Sequence, residues 1–105
     1  MIEYDDLESF RQLAISLEEV ENFRFDYKMN LLQLVCHEES TNILEYLTNE
    51  VLRDLPDLRK TLAEFRDSHL GSQAIHLAAT TGNLSILRHL QHNYFVDFSA
   101  KTSNG

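Results

Sequence analysis

Seven apolar positions of this 105-residue chain recur at one fixed spacing. Leu32 pairs with Ile75, Leu34 with Leu77, Val35 with Ala78 and Cys36 with Ala79. Ile43 then pairs with Ile86, Leu44 with Leu87 and Leu47 with Leu90, and every pair is 43 residues apart. A constant offset across two apolar clusters leaves few folds open. The chain builds the same supersecondary unit twice, and each copy buries faces that it cannot cover alone. Inside each copy the apolar residues fall three and four apart, so the unit is a pair of helices.

The downstream copy reads Gly71-Ser-Gln-Ala-Ile-His76-Leu-Ala-Ala-Thr-Thr-Gly82-Asn-Leu-Ser-Ile86-Leu87-Arg-His-Leu90. This resembles the centre of an ankyrin repeat, which the family writes G-x-T-P-L-H-L-A-A-x-x-G-H-x-E-I-V-x-x-L-L. Val96-Asp97-Phe98-Ser99-Ala100-Lys101 resembles the family's A-D-V-N-A-K, which leads into a further repeat. The resemblance is good over 71–105, fair over 28–48 and weak over 1–27. It departs from the pattern at Gln73-Ala74 and Asn30-Leu31, where the family has Thr-Pro. Gln33 stands in place of the family's His, and Glu39 in place of the turn Gly. These changes imply looser turns than a consensus array has.

The offset of 43 exceeds the family's period of about 33 by about ten residues. The excess lies between Thr48 and Leu70. Pro56 suits the first turn of a helix, so an additional helix is expected from Pro56 to about Arg66, capped by Asp54. Leu55, Leu58, Leu62 and Phe65 would be its buried stripe. Upstream, one helix is expected from about Asp6 to Val20, capped by Asp5 or Asp6, with Glu8 completing a capping box. Its stripe is Leu7, Phe10, Leu13, Ala14, Leu17 and Val20. Phe23, Phe25 and Tyr27 alternate with polar residues, which suits an extended or hairpin segment over 21–29. Asn30 is a good cap for the helix that follows.

The resemblance implies an all-α ankyrin-repeat solenoid of antiparallel helix pairs with hairpin-like loops. Residues 1–27 read as a degenerate repeat or cap, 28–70 as a repeat with an insertion, 71–101 as a repeat and 102–105 as the start of another. In that family partners dock on loop tips and on exposed positions of the inner helices. Carried over residue by residue, these are His69, Leu70, Ser72, Thr80 and Thr81 downstream. In the upstream copy they are Asp26, Tyr27, Met29, His37 and Glu38. The implied function is non-catalytic protein–protein recognition. The acidic balance and the long insertion also resemble, in architecture, the ankyrin inhibitors of NF-kappa-B. The alternative is the N-terminal segment of a longer ankyrin scaffold, channel or enzyme whose activity lies downstream.

Charge and composition narrow the partner classes. Residues 1–50 hold 12 acidic and 3 basic side chains, a balance of −9, while 51–105 hold 5 and 6, a balance of +1. The acidic half would oppose nucleic acid, so a protein with a basic surface is the expected partner. The plainer reading of the charge is a solvated helix face that keeps the domain soluble. No window approaches 18 apolar residues, and the helix faces are acidic, so neither a membrane span nor membrane association is expected. The acidic N-terminus and the single cysteine favour the cytoplasm or nucleus.

No motif carries catalysis, a cofactor or a metal. His76 matches the family's structural histidine and lacks a nucleophile or carboxylate partner. His89 and His92 are three apart on one helix, but no ligand-pair spacing accompanies them. Cys36 falls where the family packs a small residue, so a buried, inert thiol is expected. Leu84, Leu87, Tyr94, Phe95 and Phe98 are expected to leave an apolar C-terminal end that drives self-association.

Overall fold

A computed structural model describes residues 5–13, 16–25, 28–68 and 71–94. Seven α-helices and one π-helical turn make up the elements, in chain order α1 Leu7–Gln12, α2 Leu17–Asn22, α3 Leu31–His37, α4 Thr41–Tyr46, α5 Pro56–Glu64, α6 Ala74–Thr81 and α7 Leu84–Asn93. The π turn, Leu47–Val51, continues α4 directly. The described residues contain no strand, only one antiparallel bridge between Phe25 and Met29. The expected all-α class therefore holds for these residues, and the expected hairpin survives as that single bridge.

The two helix pairs α3–α4 and α6–α7 correspond helix by helix at the offset of the apolar pattern. Asn30 caps α3 in a reciprocal box with Gln33, and at the start of α6 the Gln73 amide donates to the His76 ring three positions on. Ser40 precedes α4 as Asn83 precedes α7. Between the helices the chain turns through a left-handed residue, Gly82 at φ 72° and Glu39 at φ 56°. Val35 and Ala78, Ile43 and Ile86, and Leu47 and Leu90 are all buried in one shared core. The sequence repeat is thus a repeat of backbone geometry, down to the turn.

Glu39 is the weak point of that turn. A side chain in the left-handed region crowds the following carbonyl, by about 1–2 kcal/mol, and glycine removes the clash. Glycine also loosens the unfolded chain, which returns part of the gain. Glu39 Oε1 accepts from Asn83 Nδ2 at 3.1 Å, an exposed bond worth little to stability. Glu39→Gly should therefore raise stability by about 0.5–1 kcal/mol, read as a higher urea midpoint. A lower midpoint would show that the Asn83 bond outweighs the strain.

The N-terminal third departs from the single helix expected. It forms two short helices, because Ser16 starts a new one. The Ser16 hydroxyl accepts from the Glu19 amide at 3.1 Å, and the Glu19 carboxylate accepts from the Ser16 amide at 3.3 Å. Of the proposed stripe, only Phe10 and Val20 are fully buried, with Leu7 packed beside them. Leu13 and Leu17 face solvent. Ala14 lies outside the described residues. The cap of α1 is Asp6, not an Asp5–Glu8 box. Ser9 donates to it through both amide and hydroxyl, which holds the Asp6 carboxyl below its usual range.

Asp5 instead reaches across the fold. Its carboxylate accepts from the Asn42 and Ile43 amides, each at 3.0 Å. Ser40 makes no side-chain cap of its own, so a residue ahead of α1 caps α4. This bond and an edge-on Phe10–Tyr46 ring contact, 6.0 Å between centroids, fasten the N-terminal helix to the first repeat unit.

The insertion forms the expected helix, α5, but its N-cap is Leu55 rather than Asp54. No side chain caps it. Pro56 starts it, since proline at the first turn forfeits no intrahelical bond. Leu62 and Ala63 are buried, and Leu55 and Leu58 pack half-buried against the core. Phe65 lies beyond the helix, with the Arg24 guanidinium 4.3 Å above its ring.

Of the residues expected to leave an apolar C-terminal end, two are covered. Tyr94 is fully buried, and Leu87 packs against the core. The reason for Tyr94 is a polar anchor, since its hydroxyl bonds Thr48 Oγ1 at 2.7 Å. Leu84 does face solvent, at 65 % exposure. Phe95 and Phe98 lie outside the described residues.

Candidate binding surface

The inner helices α3 and α6 lie side by side and run in the same direction. At their N-terminal ends Gln33 Nε2 donates to the Ser72 carbonyl at 2.6 Å. At their C-terminal ends Asn83 donates to Glu39. Parallel inner helices, one from each copy, bring equivalent residues to the same level.

The N-terminal ends form a closed polar lock. Gln33 is fully buried. Its Oε1 accepts from the Asn30 amide at 2.8 Å, and its Nε2 reaches the Phe65 carbonyl at 3.3 Å as well as Ser72. Asn30 Nδ2 donates to the Leu62 carbonyl at 2.9 Å, which ties α3 to α5. Asp67 and Ser72 close the loop between them: the Asp67 amide donates to the Ser72 carbonyl, and the Ser72 amide to the Asp67 carboxylate.

That lock overturns two of the expected partner contacts. Ser72 is buried because its amide and carbonyl serve the loop and Gln33. Met29 is buried because the chain folds back there, its carbonyl accepting from the Phe25 amide at 2.9 Å. Neither side chain is available to a partner. Asp26, Tyr27, His69 and Leu70 lie outside the described residues.

Four of the expected positions come together at the C-terminal ends. His37 and Glu38 end α3, and Thr80 and Thr81 end α6, again 43 residues on. His37 and Thr80 are exposed, and Glu38 and Thr81 half-buried. His37 Nε2 stands 3.9 Å from Glu38 Oε1, a loose surface pair. The threonine hydroxyls donate back into their own helix, Thr80 to the His76 carbonyl and Thr81 to that of Ala78. Ala79, just ahead of them, is exposed as well. The sequence reading missed Glu39 and Asn83, which join the two turns into one ledge. A glutamate in place of the turn glycine was the available signal.

Other candidate residues take structural parts. His76 Nδ1 accepts from the Gln73 amide at 2.8 Å. Cys36 is fully buried, and burial pushes its thiol up to about 12, far from a reactive thiolate. His89 turns inward to Thr48 while His92 is exposed. Among the described residues no three His, Cys, Asp or Glu side chains are grouped to hold a metal, and no helix is long and apolar enough to cross a membrane.

Ion pairs among the described residues include His37–Glu38 and Lys60–Glu64. Arg11 and Arg24 lie over the rings of Tyr46 and Phe65. Comparison with known proteins returns no matching family model, no curated relative and no solved structure.

Proposed function

We propose that the chain is a protein-recognition module without catalysis, and that its partner docks on the ledge of His37, Glu38, Thr80 and Thr81. The observation that carries this reading is the match of the two helix pairs and their left-handed turns at one offset, which sets equivalent polar residues in a row on a fixed backbone. A surface ordered before binding leaves less entropy to lose on association. The resemblance to ankyrin repeats supports the same reading, because that family uses these positions for partners. The partner class is a protein with a basic surface. Glu38 and Glu39 flank the ledge, and the parallel helices α3 and α6 both present carbonyl ends to it. A regulator acting inside the cell, in the manner of the ankyrin inhibitors of NF-kappa-B, fits this partner class.

The test is capture of partners from a cell lysate on immobilised protein, identified by mass spectrometry. The comparison is a double variant, Glu38→Lys with Thr80→Lys. Both residues lie at the surface, so the circular dichroism spectrum should not change. At least one protein should be held by the native chain and lost, by tenfold or more, on the variant. Equal capture by both chains would sink the assignment of this ledge.

A further inference from the structure

We propose that Thr48, His89 and Tyr94 form an acid-sensitive latch that fastens the last helix of the second repeat unit to the outer helix of the first. Thr48 is the hub. It is 2 % exposed and sits in the π turn, among Leu44, Leu47 and Leu52 of the core. Its hydroxyl lies 2.9 Å from the Leu44 carbonyl, 2.8 Å from His89 Nε2 and 2.7 Å from the Tyr94 hydroxyl.

A hydroxyl has one proton to donate and two lone pairs to accept with. The Leu44 carbonyl can only accept, so the Thr48 proton goes there. The other two bonds must then run inward. Tyr94 donates its O–H to Thr48, and His89 donates an N–H from Nε2. This fixes the neutral imidazole with its proton on Nε2 and leaves Nδ1 to take the next one.

That second proton is unwelcome in the fold. The His89 ring is half withdrawn from water, and burial lowers its affinity for the proton below the ordinary value of 6.5. Glu45 of α4 faces the ring and acts in the opposite direction, more weakly. On the Tyr94 side stand the neutral thiol of Cys36 from α3 and the guanidinium of Arg59 from α5. Neither offers negative charge to an imidazolium. On its own helix His89 is preceded by exposed Arg88, a standing positive charge, and followed by exposed His92.

The sign follows from linkage. The folded state binds the proton less tightly than the unfolded chain does, so it loses ground as pH falls below about 6.5. The Nε2–H bond to Thr48 survives protonation at Nδ1, so the loss is that of holding an imidazolium half out of water. The π turn is what makes the latch possible. Leu52 reaches back five residues, its amide donating to the Leu47 carbonyl at 2.7 Å. The widened turn carries Thr48 at the junction of the two outer helices.

Two measurements test the latch. In the native protein at pH 7.5, nitrogen-15 NMR of the histidine rings should place the His89 proton on Nε2, and the ring should titrate below the same residue in the urea-unfolded chain. A proton on Nδ1 overturns the hydrogen-bond assignment. The second measurement compares urea midpoints of the native chain and His89→Gln between pH 7.5 and 5.5. Glutamine keeps an N–H donor for Thr48 and does not titrate. The native midpoint should fall relative to the variant as the medium is acidified. Parallel midpoints across the window overturn the proposal.

Discussion

Leu62→Asp should unfold the chain or leave it barely folded, with a loss of about 3–5 kcal/mol. Leu62 is buried in the core shared by both repeat units. An aspartate there would be a charge taken out of water. The carbonyl of the same residue holds Asn30 Nδ2, so displacing α5 also disturbs the cap of α3. A domain of this size holds a total stability of about 5–15 kcal/mol, so the loss is a large share. Thr61→Asp is the control. Thr61 is exposed on the next position of the same helix, and its change should stay within about 0.5 kcal/mol. Urea unfolding of the two variants reads the difference. If they unfold at the same concentration, α5 does not belong to the core.

Why α5 could be read from sequence, and the N-terminal helices could not, is a matter of punctuation. Pro56 marks one helix start whatever the rest of the chain does, because its ring fixes φ and lacks an N–H. The apolar spacing that follows has only one way to be buried. In 6–20 the same spacing misleads. Leu7 to Val20 fits a single helical stripe, yet Ser16 and Glu19 form a capping box in its middle. Local hydrogen bonding there outweighs a period whose leucines, Leu13 and Leu17, the core does not cover. A reader weighing Ser16 as a cap would have split the helix.

The repeat was legible for a different reason. Two clusters at one offset test each other, so a chance match at one position does no harm. The structure extends the match to positions that carry no apolar signal, Asn30 with Gln73 and Glu39 with Gly82. The binding surface was legible only in part. Sequence places a residue on a loop or a helix end, but not whether its backbone is used. Ser72 and Met29 were assigned outward on that ground and are drawn inward by hydrogen bonds to Gln33, Asp67 and Phe25. The latch was invisible because Thr48 and His89 stand 41 residues apart, outside the repeat offset.

Gln33→Met should cost about 2–4 kcal/mol, and Gln33→His should recover most of it. Methionine keeps the length and unbranched shape of glutamine, so packing is not the variable. What it removes is a buried acceptor and a buried donor. The Asn30 amide loses its partner at 2.8 Å, and the Phe65 and Ser72 carbonyls lose the Gln33 amide group. Ser72 keeps a second bond, from the Asp67 amide, which limits the damage at that end. A buried amide left unpaired costs about 1–3 kcal/mol, so two stranded groups set the scale. Histidine should repair both ends because the molecule already contains the solution. At the matching position of the second unit, His76 Nδ1 accepts from the Gln73 amide at 2.8 Å. An imidazole at 33 would accept from Asn30 in the same way, with its other nitrogen aimed at the Ser72 carbonyl. Urea midpoints give the energies, and hydrogen exchange at the Asn30 amide tells whether the lost bond is the cause. That amide should exchange faster in the methionine variant and slow again in the histidine variant. If histidine is as costly as methionine, the two repeat units share their helices and turns but not the chemistry of their caps.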